Sequence, residues 1–534
     1  MKPKIDLFDT TLRDGTQGEG VSFSAEDKLR IARRLDAFGI DFIEGGWPGS
    51  NPRDMAFFRK AHGLQLRHAR IVAFGSTCRG SEPAEDANLA ALLEAETPAV
   101  SVFGKTWRLH AEQALGISCS ENLARIFASV RFLKAHGKYV IYDAEHFFDG
   151  FADDPEYALA TLKAAHEGGA DVLTLCDTNG GSLPGAVGRA VQQVAARFPG
   201  GLLGIHPHND GELAVANALA AVEAGCRHVQ GTINGYGERC GNANLCSVIP
   251  NLQLKLGYDC IPGENLAQLT GLSHFVSELA NRVPHAAQAF TGRSAFAHKG
   301  GVHVSAVMKK PETYEHITPE TVGNSRRVLV SDLSGRSNIR YKTEELGIDL
   351  EARAGDAAGI VRELKQLEHE GYAFEAAEAS LELLIRRRLN EWTDPAALKG
   401  FRILIEKNER DPARSEATIR LDVNGITEHT AAESVGPVHA LDLAMRKALS
   451  KFFPAISRMH LSDYKVRVLN GGDGTRSKVR VLIESSCEGK AWSTVGVSEN
   501  IMEASHQALI ESYAWFLQQQ QVPLRHPSPQ PNAS

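Results

Sequence analysis

The chain has 534 residues, of which 43% are hydrophobic, so it can bury a large core and is too long for one ordinary domain. Its 58 basic and 65 acidic residues give a net charge of −7, and no overall basic character indicates a nucleic-acid partner. No apolar run approaches the ~18 residues of a membrane span, and the eight cysteines contain no C-x-x-C motif, so we expect a reduced, cytoplasmic protein.

Eight short apolar runs alternate with helical patterns through about residue 260. The helical segments include 24–38, for which Ser24 is the expected N-cap, and the alanine-rich segment 212–224. This alternation predicts an α/β fold, a (β/α)₈ TIM barrel that spans residues 1–260. The eight predicted strands are Ile5–Asp9, Phe42–Gly46, Ile71–Gly75, Val100–Phe103, Tyr139–Asp143, Val172–Cys176, Leu202–His206 and His228–Ile233.

The remaining chain divides into three predicted parts. Residues 261–400 have mainly helical patterns, for example at 355–369 and 374–390, and we expect helical linker subdomains there. Residues 401–517 are predicted to form an α+β domain, and residues 518–534, rich in glutamine and proline, a disordered tail. The α+β domain contains a β-β-α pattern twice: strands at 418–423 and 427–434 before a helix at 438–449, then strands at 478–483 and 491–497 before a helix at 501–516.

Polar side chains follow the first, seventh and eighth predicted strands. Arg13 and Asp14 come after the first strand, the His206-x-His208 pair ends the seventh, and Asn242 follows the eighth. Strand residues two apart point to the same face, and closing a barrel brings strands one, seven and eight together. A doubly wound sheet, the rival fold, gives no reason for that grouping. Carboxylate, imidazole and amide ligands suit Mg²⁺, Mn²⁺ or Zn²⁺ and leave positions open for a substrate; the alternative is that each histidine is only a satisfied rim residue.

Other strand ends carry further polar candidates for the barrel mouth. Glu44 either supports Arg13 or contacts a ligand, and Asp143 lies on the same strand face as Glu145. Glu145 itself is either a proton acceptor or a rim carboxylate paired with an arginine of the barrel. Thr178 follows the sixth strand.

Three of these motifs resemble the DRE-TIM metallolyase superfamily, and within it the Claisen-condensing 2-isopropylmalate, homocitrate and citramalate synthases; they are Leu12–Gly15, His206–Asp210 and Gly235–Asn242. Three further segments resemble the (R)-citramalate synthase branch: Ile43–Asn51, Tyr142–Asp149 and Glu370–Glu378. The C-terminal part is similar to the regulatory domain of isopropylmalate synthases in the segments Asn470–Gly474 and Trp492–Gly496.

The resemblance implies a divalent metal that is chelated by a 2-oxoacid. Asp14, His206 and His208 would be protein ligands, with Asn242 as a fourth or outer ligand. Arg13 would offset the negative charge that develops on the keto oxygen, a role that suits a permanently charged donor.

The resemblance also implies the residues that bind and deprotonate the substrates. Thr178 would hydrogen-bond the oxoacid carboxylate, and Glu145 matches the family's catalytic glutamate. His303 matches a histidine delivered from outside the barrel by the partner subunit, although a purely structural role is the alternative. Tyr314 matches a tyrosine of the same neighbourhood, and an ionised Asp143 near the site would disfavour a bulky apolar substrate.

The implied activity is the condensation of acetyl-CoA with pyruvate to citramalate in isoleucine biosynthesis, by a homodimer with isoleucine as its effector. Isopropylmalate or homocitrate synthesis differs only in the tail of the oxoacid. A retro-Claisen lyase does not explain the regulatory-like domain. A carboxyltransferase needs a carboxylated lysine, for which only Lys105 is placed. A non-enzymatic binding module would not need the metal ligands.

Overall fold

The computed structural model describes residues 3–348, 356–409, 412–469 and 477–520. Within these ranges the chain forms two compact units. The first comprises the residues up to 296 together with 317–326, and the second comprises 297–316 together with the residues from 327 onward. The Asn470–Gly474 motif and residues 521–534 of the predicted tail lie outside the described ranges. The tail was predicted to begin at 518, but the last helix continues through Gln519.

The first unit is the predicted barrel. Its eight parallel strands follow one another in sequence order, and the eighth closes on the first through the pairing of Asp6 with His228. All eight predicted strands are present, although the last ends two residues early because Asn234 turns the chain with a φ of 64°. The strands are β1 Asp6–Asp9, β2 Phe42–Gly46, β3 Arg70–Ser76, β4 Ala99–Lys105, β5 Tyr139–Glu145, β6 Val172–Asp177, β7 Leu202–Pro207 and β8 His228–Gly231.

Helices connect these strands and cover the outside of the barrel. As predicted, Ser24 caps the first of them: its hydroxyl accepts from the Asp27 N–H, and the Asp27 carboxylate accepts from the Ser24 N–H. The helices of this unit are α1 Ala25–Phe38, α2 Pro52–Ala61, α3 Ala87–Glu94, α4 Cys119–Ala135, α5 Phe147–Asp153, α6 Pro155–Gly168, α7 Pro184–Arg197, α8 Ala214–Ala224, α9 Leu245–Pro250 and α10 Leu269–Leu279.

The barrel interior is layered, because alternate residues of each strand share a face. Its lower layer is apolar and consists of Phe8, Phe42, Val72, Ala99, Ile141 and Val172. Two residues further along the same strands, the layer becomes polar, with Ser101, Asp143 and Thr174 all buried. This polar layer lies directly beneath the mouth and positions the candidate site.

The second unit begins with short elements and continues into an α+β region. None of the described helices in either unit has the length and apolar character needed to cross a bilayer. The elements of the second unit are β9 Ala297–His298, α11 Gly301–Lys309, β10 Arg327–Val328, α12 Arg336–Glu345, α13 Asp356–Glu370, α14 Glu378–Arg388, β11 Ala397–Glu406, β12 Arg414–Val423, β13 Ile426–Ser434, α15 Pro437–Leu449, β14 His460–Val468, β15 Val479–Cys487, β16 Lys490–Ser498 and α16 Ile501–Gln519.

The predicted repeat is present, but each copy is β-β-β-α rather than β-β-α. Strands β11–β13 and β14–β16 form two antiparallel three-stranded sheets, each followed by a helix. The two missing strands, β11 and β14, are edge strands with mostly exposed or half-buried residues. The prediction missed them although Tyr464, Val466 and Val468 of β14 alternate with polar residues.

Helix α14 packs against the last sheet and its helix. Ser380 accepts from the Val495 N–H at 3.1 Å, and Trp515 donates to Glu382 at 2.6 Å. A domain boundary near residue 400 falls inside β11 and would separate α14 from these partners. The division at residues 260 and 400 therefore stays a proposal, and removal of the chain from 400 onward would expose apolar surface on α14.

His506 links the stability of this unit to pH. It is buried beneath Phe401, and this burial, only partly offset by Glu503, lowers the pKa of His506 to about 4. The unfolded chain therefore binds a proton near pH 6.5 that the folded chain does not, so the stability present above pH 6.5 is lost as the pH falls. We expect wild type to lose about 2 kcal/mol more than His506→Phe between pH 7 and pH 5. Urea denaturation at both pH values measures the difference, and parallel losses would contradict it.

Candidate active site at the barrel mouth

Three predicted metal ligands meet at the carboxyl mouth of the barrel. Asp14 Oδ2 lies 3.6 Å from His206 Nε2 and 4.0 Å from His208 Nε2. One ligand atom from each residue fits within a group whose members are all within 4.8 Å of one another, and all three side chains are buried. Such a cluster can close around one divalent ion.

The charges of the cluster suit metal binding. Burial opposes ionisation of Asp14, but Arg13, His208 and His206 outweigh it and hold the pKa of Asp14 below its usual range. Burial and the neighbouring His206 lower the pKa of His208 to about 4. An ionised carboxylate and a neutral imidazole are the forms that coordinate a cation.

Asn242 reaches the cluster from the loop Gly235–Asn242. Its side-chain amide donates to Asp14 Oδ1 at 2.8 Å, while its own Oδ1 is buried and has no hydrogen-bond partner among the described residues. An unpartnered buried oxygen beside a carboxylate and two imidazoles fits a cation site. Asn242 therefore contacts Asp14 through its amide nitrogen, and its predicted place as a fourth or outer ligand stays a prediction.

Glycines allow this loop to fold over the site. Gly237 has a φ of 158°, and a Cβ at that position would lie 2.2 Å from Asn242 Nδ2. Gly241 has a φ of 90°, in the region that side chains disfavour. A side chain at Gly237 would therefore displace Asn242 from Asp14.

Arg13 is fixed between two carboxylates and an aromatic ring. It donates to Asp14 at 2.8 Å and to Glu44 at 2.7 Å, and its guanidinium carbon lies 3.8 Å from the centre of the Phe74 ring. Glu44 is fully buried and also accepts from the hydroxyl of Thr10. This contact is the geometry expected of a carboxylate that supports Arg13, and the role of Glu44 stays a prediction.

A hydrogen-bonded chain lies directly beneath His206. His206 Nδ1 is 2.6 Å from Gln230 Oε1, and Gln230 Nε2 donates to Asp143 Oδ1 at 2.9 Å. The second oxygen of Asp143 accepts from the hydroxyl of Ser101. Burial raises the pKa of Asp143 although His206 opposes the shift.

Glu145 is paired with a lysine rather than with the arginine that the sequence allowed. Its carboxylate forms an ion pair with Lys105, which stands opposite it in the register of β4 and β5. Next along the chain, the His146 N–H donates to the hydroxyl of Thr178 at 2.8 Å. His146 has a φ of 57°, so the turn after Glu145 is held in a left-handed conformation.

These residues surround a cavity of about 190 Å³. One part of its lining consists of Arg13, Asp14, His206 and His208. The rest of the lining includes the predicted Asp143, Glu145 and Thr178, and a wall of three packed aromatic rings from Trp47, Phe74 and Phe103.

His303 and Tyr314 belong to the second unit. Their rings stack with centroids 4.2 Å apart, and both side chains are exposed. The structure thus brings nine of the eleven predicted site residues into the barrel mouth, and it places these two together on α11 and the turn that follows it.

Gln230 and the aromatic wall were not among the predicted site residues, and Lys105 was considered only for the carboxyltransferase alternative. Gln230 and His228 occupy alternate positions of a strand that is otherwise apolar, and polar residues at inward positions are the signal that could have found Gln230. The partner of Lys105 depends on the register of β4 and β5, which a single sequence does not fix.

Comparisons with known proteins identify the family of the chain. The HMGL-like family model matches residues 4–276, a homocitrate synthase post-HMGL domain-like model matches 290–371, and a LeuA allosteric (dimerisation) domain model matches 375–517. Proteins named (R)-citramalate synthase from Aquifex aeolicus and Geobacter sulfurreducens are each 54% identical to the chain, over 97% and 96% of it and 98% and 97% of their own lengths. A probable 2-isopropylmalate synthase from Methanopyrus kandleri is 35% identical over 96% of the chain and 98% of its own length.

The fold and the site together define a TIM-barrel enzyme of the DRE-TIM metallolyase superfamily, with its candidate metal centre at the barrel mouth. The similarity extends over nearly the whole chain. The chain belongs to the HMGL-like family, and within it to the group of full-length proteins named (R)-citramalate synthase.

Proposed function

We propose that this protein is an (R)-citramalate synthase that condenses acetyl-CoA with pyruvate and water to give citramalate and CoA. Five relatives of that name are 45–54% identical to it over nearly their full lengths. The observation that carries the choice of substrate is the small cavity, whose lining combines the candidate metal ligands with the aromatic wall of Trp47, Phe74 and Phe103. Such a wall leaves room for a methyl group beside the keto carbon.

Asp14, His206 and His208 would hold a divalent cation, which supplies Lewis-acid polarisation of the keto group when it is bound. Arg13 would lie against the keto oxygen and offset the negative charge that develops there. Its two carboxylate partners fix its guanidinium, so little reorganisation is needed during the reaction. Thr178 would donate its hydroxyl proton to the oxoacid carboxylate, because its oxygen already accepts from the His146 N–H.

Glu145 would take a proton from the methyl group of acetyl-CoA. The resulting carbon nucleophile attacks the keto carbon of pyruvate, and water then cleaves the thioester to release CoA. Before the transfer, Lys105 holds the carboxylate of Glu145 at the rim of the cavity. Glu145 must turn from Lys105 towards the methyl group. His303 or Tyr314, as a residue of the partner subunit in a homodimer, would donate the proton that the alkoxide at the keto carbon takes up.

The principal alternative is 2-isopropylmalate synthesis, because a relative of that name is 35% identical. The two activities differ in the tail of the oxoacid. We expect pyruvate to be preferred over 2-oxoisovalerate by about 100-fold or more in kcat/KM, since two extra methyl groups would meet the aromatic wall. CoA release with pyruvate, 2-oxoisovalerate and 2-oxoglutarate in parallel measures this. A higher kcat/KM for 2-oxoisovalerate would identify an isopropylmalate synthase.

The C-terminal repeat is proposed to bind isoleucine as a feedback effector. A cavity of about 500 Å³ lies beside α15 and the start of β14, and it offers apolar side chains together with Asp442, Arg446 and Tyr464. An amino acid would find charged partners and an apolar lining there. Inhibition requires that isoleucine binds one conformation of the enzyme more tightly than another.

The effector prediction is tested by filling that cavity. We expect Leu461→Trp to abolish inhibition by isoleucine and to leave turnover without effector within about twofold, because Leu461 lines the cavity and lies outside the barrel. The matched control is Ile426→Trp, at an exposed position in the first copy of the repeat. Titration of isoleucine against turnover is the measurement. Unchanged inhibition of the Leu461 variant would place the effector elsewhere, and an uninhibited wild type would leave a dimerisation module.

A further inference from the structure

We propose that Gln230 is a positioning residue for the metal centre: it fixes the proton of His206 on Nδ1 and thereby presents Nε2 to the cation. The inference rests on the metal site of the proposed function and is independent of the oxoacid. A neutral imidazole binds a cation through the ring nitrogen that carries no hydrogen. In His206 the nitrogen that faces Asp14 is Nε2, so Nδ1 must be the N–H donor.

Gln230 supplies the acceptor for that proton. Its Oε1 lies 2.6 Å from His206 Nδ1, and both side chains are buried, with Gln230 fully inaccessible. The layer that holds this contact is closed below by apolar residues. The geometry therefore selects one of the two tautomers of His206.

The amide of Gln230 is itself held in one orientation. Its nitrogen donates to Asp143 Oδ1 at 2.9 Å and to Thr174 Oγ1 at 3.3 Å, and it lies 3.4 Å from His228 Nε2. A flipped amide would place its oxygen against the Asp143 carboxylate and its N–H₂ group against His206. Asp143 thus acts on the metal ligand through Gln230, and Ser101 holds Asp143 from the other side.

This arrangement gives Asp143 a role that its place in the cavity lining does not reveal. A carboxylate in contact with a ligand histidine is a common way to orient the imidazole. Here the neutral amide of Gln230 separates the Asp143 carboxylate from His206. The imidazole is therefore oriented without a charged group against its ring. Removal of the acceptor should release His206 to the other tautomer and weaken cation binding.

The test measures Mn²⁺ affinity in the metal-stripped full-length enzyme by calorimetry, in the absence of substrates. Gln230→Met keeps the volume and removes both hydrogen-bonding ends, and we expect it to bind Mn²⁺ about 10- to 100-fold more weakly than wild type. Ser129→Ala is the control for a general loss of stability and should bind like wild type. It removes the hydroxyl that donates to the Arg125 carbonyl in α4 and accepts from the Cys78 N–H.

A swapped pair separates positioning from simple packing. In Gln230→Glu combined with Asp143→Asn, the new carboxylate can accept from His206 Nδ1 and the new amide can donate to it. We expect this double variant to recover Mn²⁺ affinity to within a few-fold of wild type. Affinity of Gln230→Met equal to wild type, or a folded double variant as weak as Gln230→Met, would overturn the proposal.

The tautomer is also read directly in the wild type, which keeps the proposal testable if a variant fails to fold. In ¹⁵N-histidine-labelled apoenzyme, the signals lost in His206→Gln should have the shifts of an Nδ1–H imidazole. An Nε2–H tautomer would overturn the proposal. Wild-type enzyme that does not bind Mn²⁺ would instead refute the metal site, and Mn²⁺ binding without CoA release from pyruvate would refute only the proposed reaction.

Discussion

Replacing His206 or His208 with alanine is expected to abolish turnover and to leave the barrel folded. Each substitution removes one of the three ligands that converge within 4.8 Å, and an incomplete site loses the cation that polarises the keto group. Lewis-acid stabilisation is worth several kcal/mol, so we expect kcat to fall roughly a thousandfold or more. CoA release and Mn²⁺ binding are measured together, with circular dichroism to verify the fold.

His166→Ala, at an exposed position of α6, is the matched control and should retain both turnover and Mn²⁺ binding. Chelation should silence the wild type, and added Mn²⁺ or Mg²⁺ should restore it. Undiminished turnover in either site variant, or in enzyme stripped exhaustively of metal, would contradict the prediction.

Glu145→Gln should separate binding from proton transfer. The amide keeps the shape of the carboxylate but does not accept the methyl proton of acetyl-CoA, so kcat should fall by about 10²- to 10⁴-fold. The Mn²⁺ affinity should stay within a few-fold of wild type, because Glu145 pairs with Lys105 and not with the metal ligands. In D₂O with a pyruvate analogue that lacks the keto group, the wild type should exchange the methyl protons of acetyl-CoA with solvent. Glu145→Gln should not show this exchange.

Glu112→Gln, at an exposed position outside the cavity lining, controls for the loss of one nearby carboxylate. Methyl-proton exchange at the wild-type rate in Glu145→Gln would assign the base elsewhere. A loss of Mn²⁺ binding in that variant would show that Glu145 supports the metal centre rather than the proton transfer.

The barrel and most of its mouth could be predicted because both follow from short-range patterns. Apolar runs of strand length alternate with helical segments, and the side chains after each run meet at one end of a closed barrel. Asp14, His206 and His208 converge for that reason alone. The resemblance to a known family then supplied the roles of Glu145 and Thr178, which spacing does not give.

Contacts that depend on register or on edge strands could not be predicted. Gln230 meets Asp143 across the barrel interior, and Lys105 meets Glu145 through one specific pairing of β4 with β5. Strands β11 and β14 were missed, and both are edge strands in which no residue is fully buried. The same omission led to the boundary near residue 400, which lies within β11.

The most direct test of the account follows the keto carbon of the substrate. Enzyme with Mn²⁺, acetyl-CoA and [2-¹³C]pyruvate is monitored by ¹³C NMR while free CoA is titrated. We expect the ketone signal to be replaced by that of a quaternary alcohol carbon, in an amount equal to the CoA released, and we expect neither change after chelation. CoA release with an unaltered pyruvate signal, or conversion that persists without metal, would contradict it.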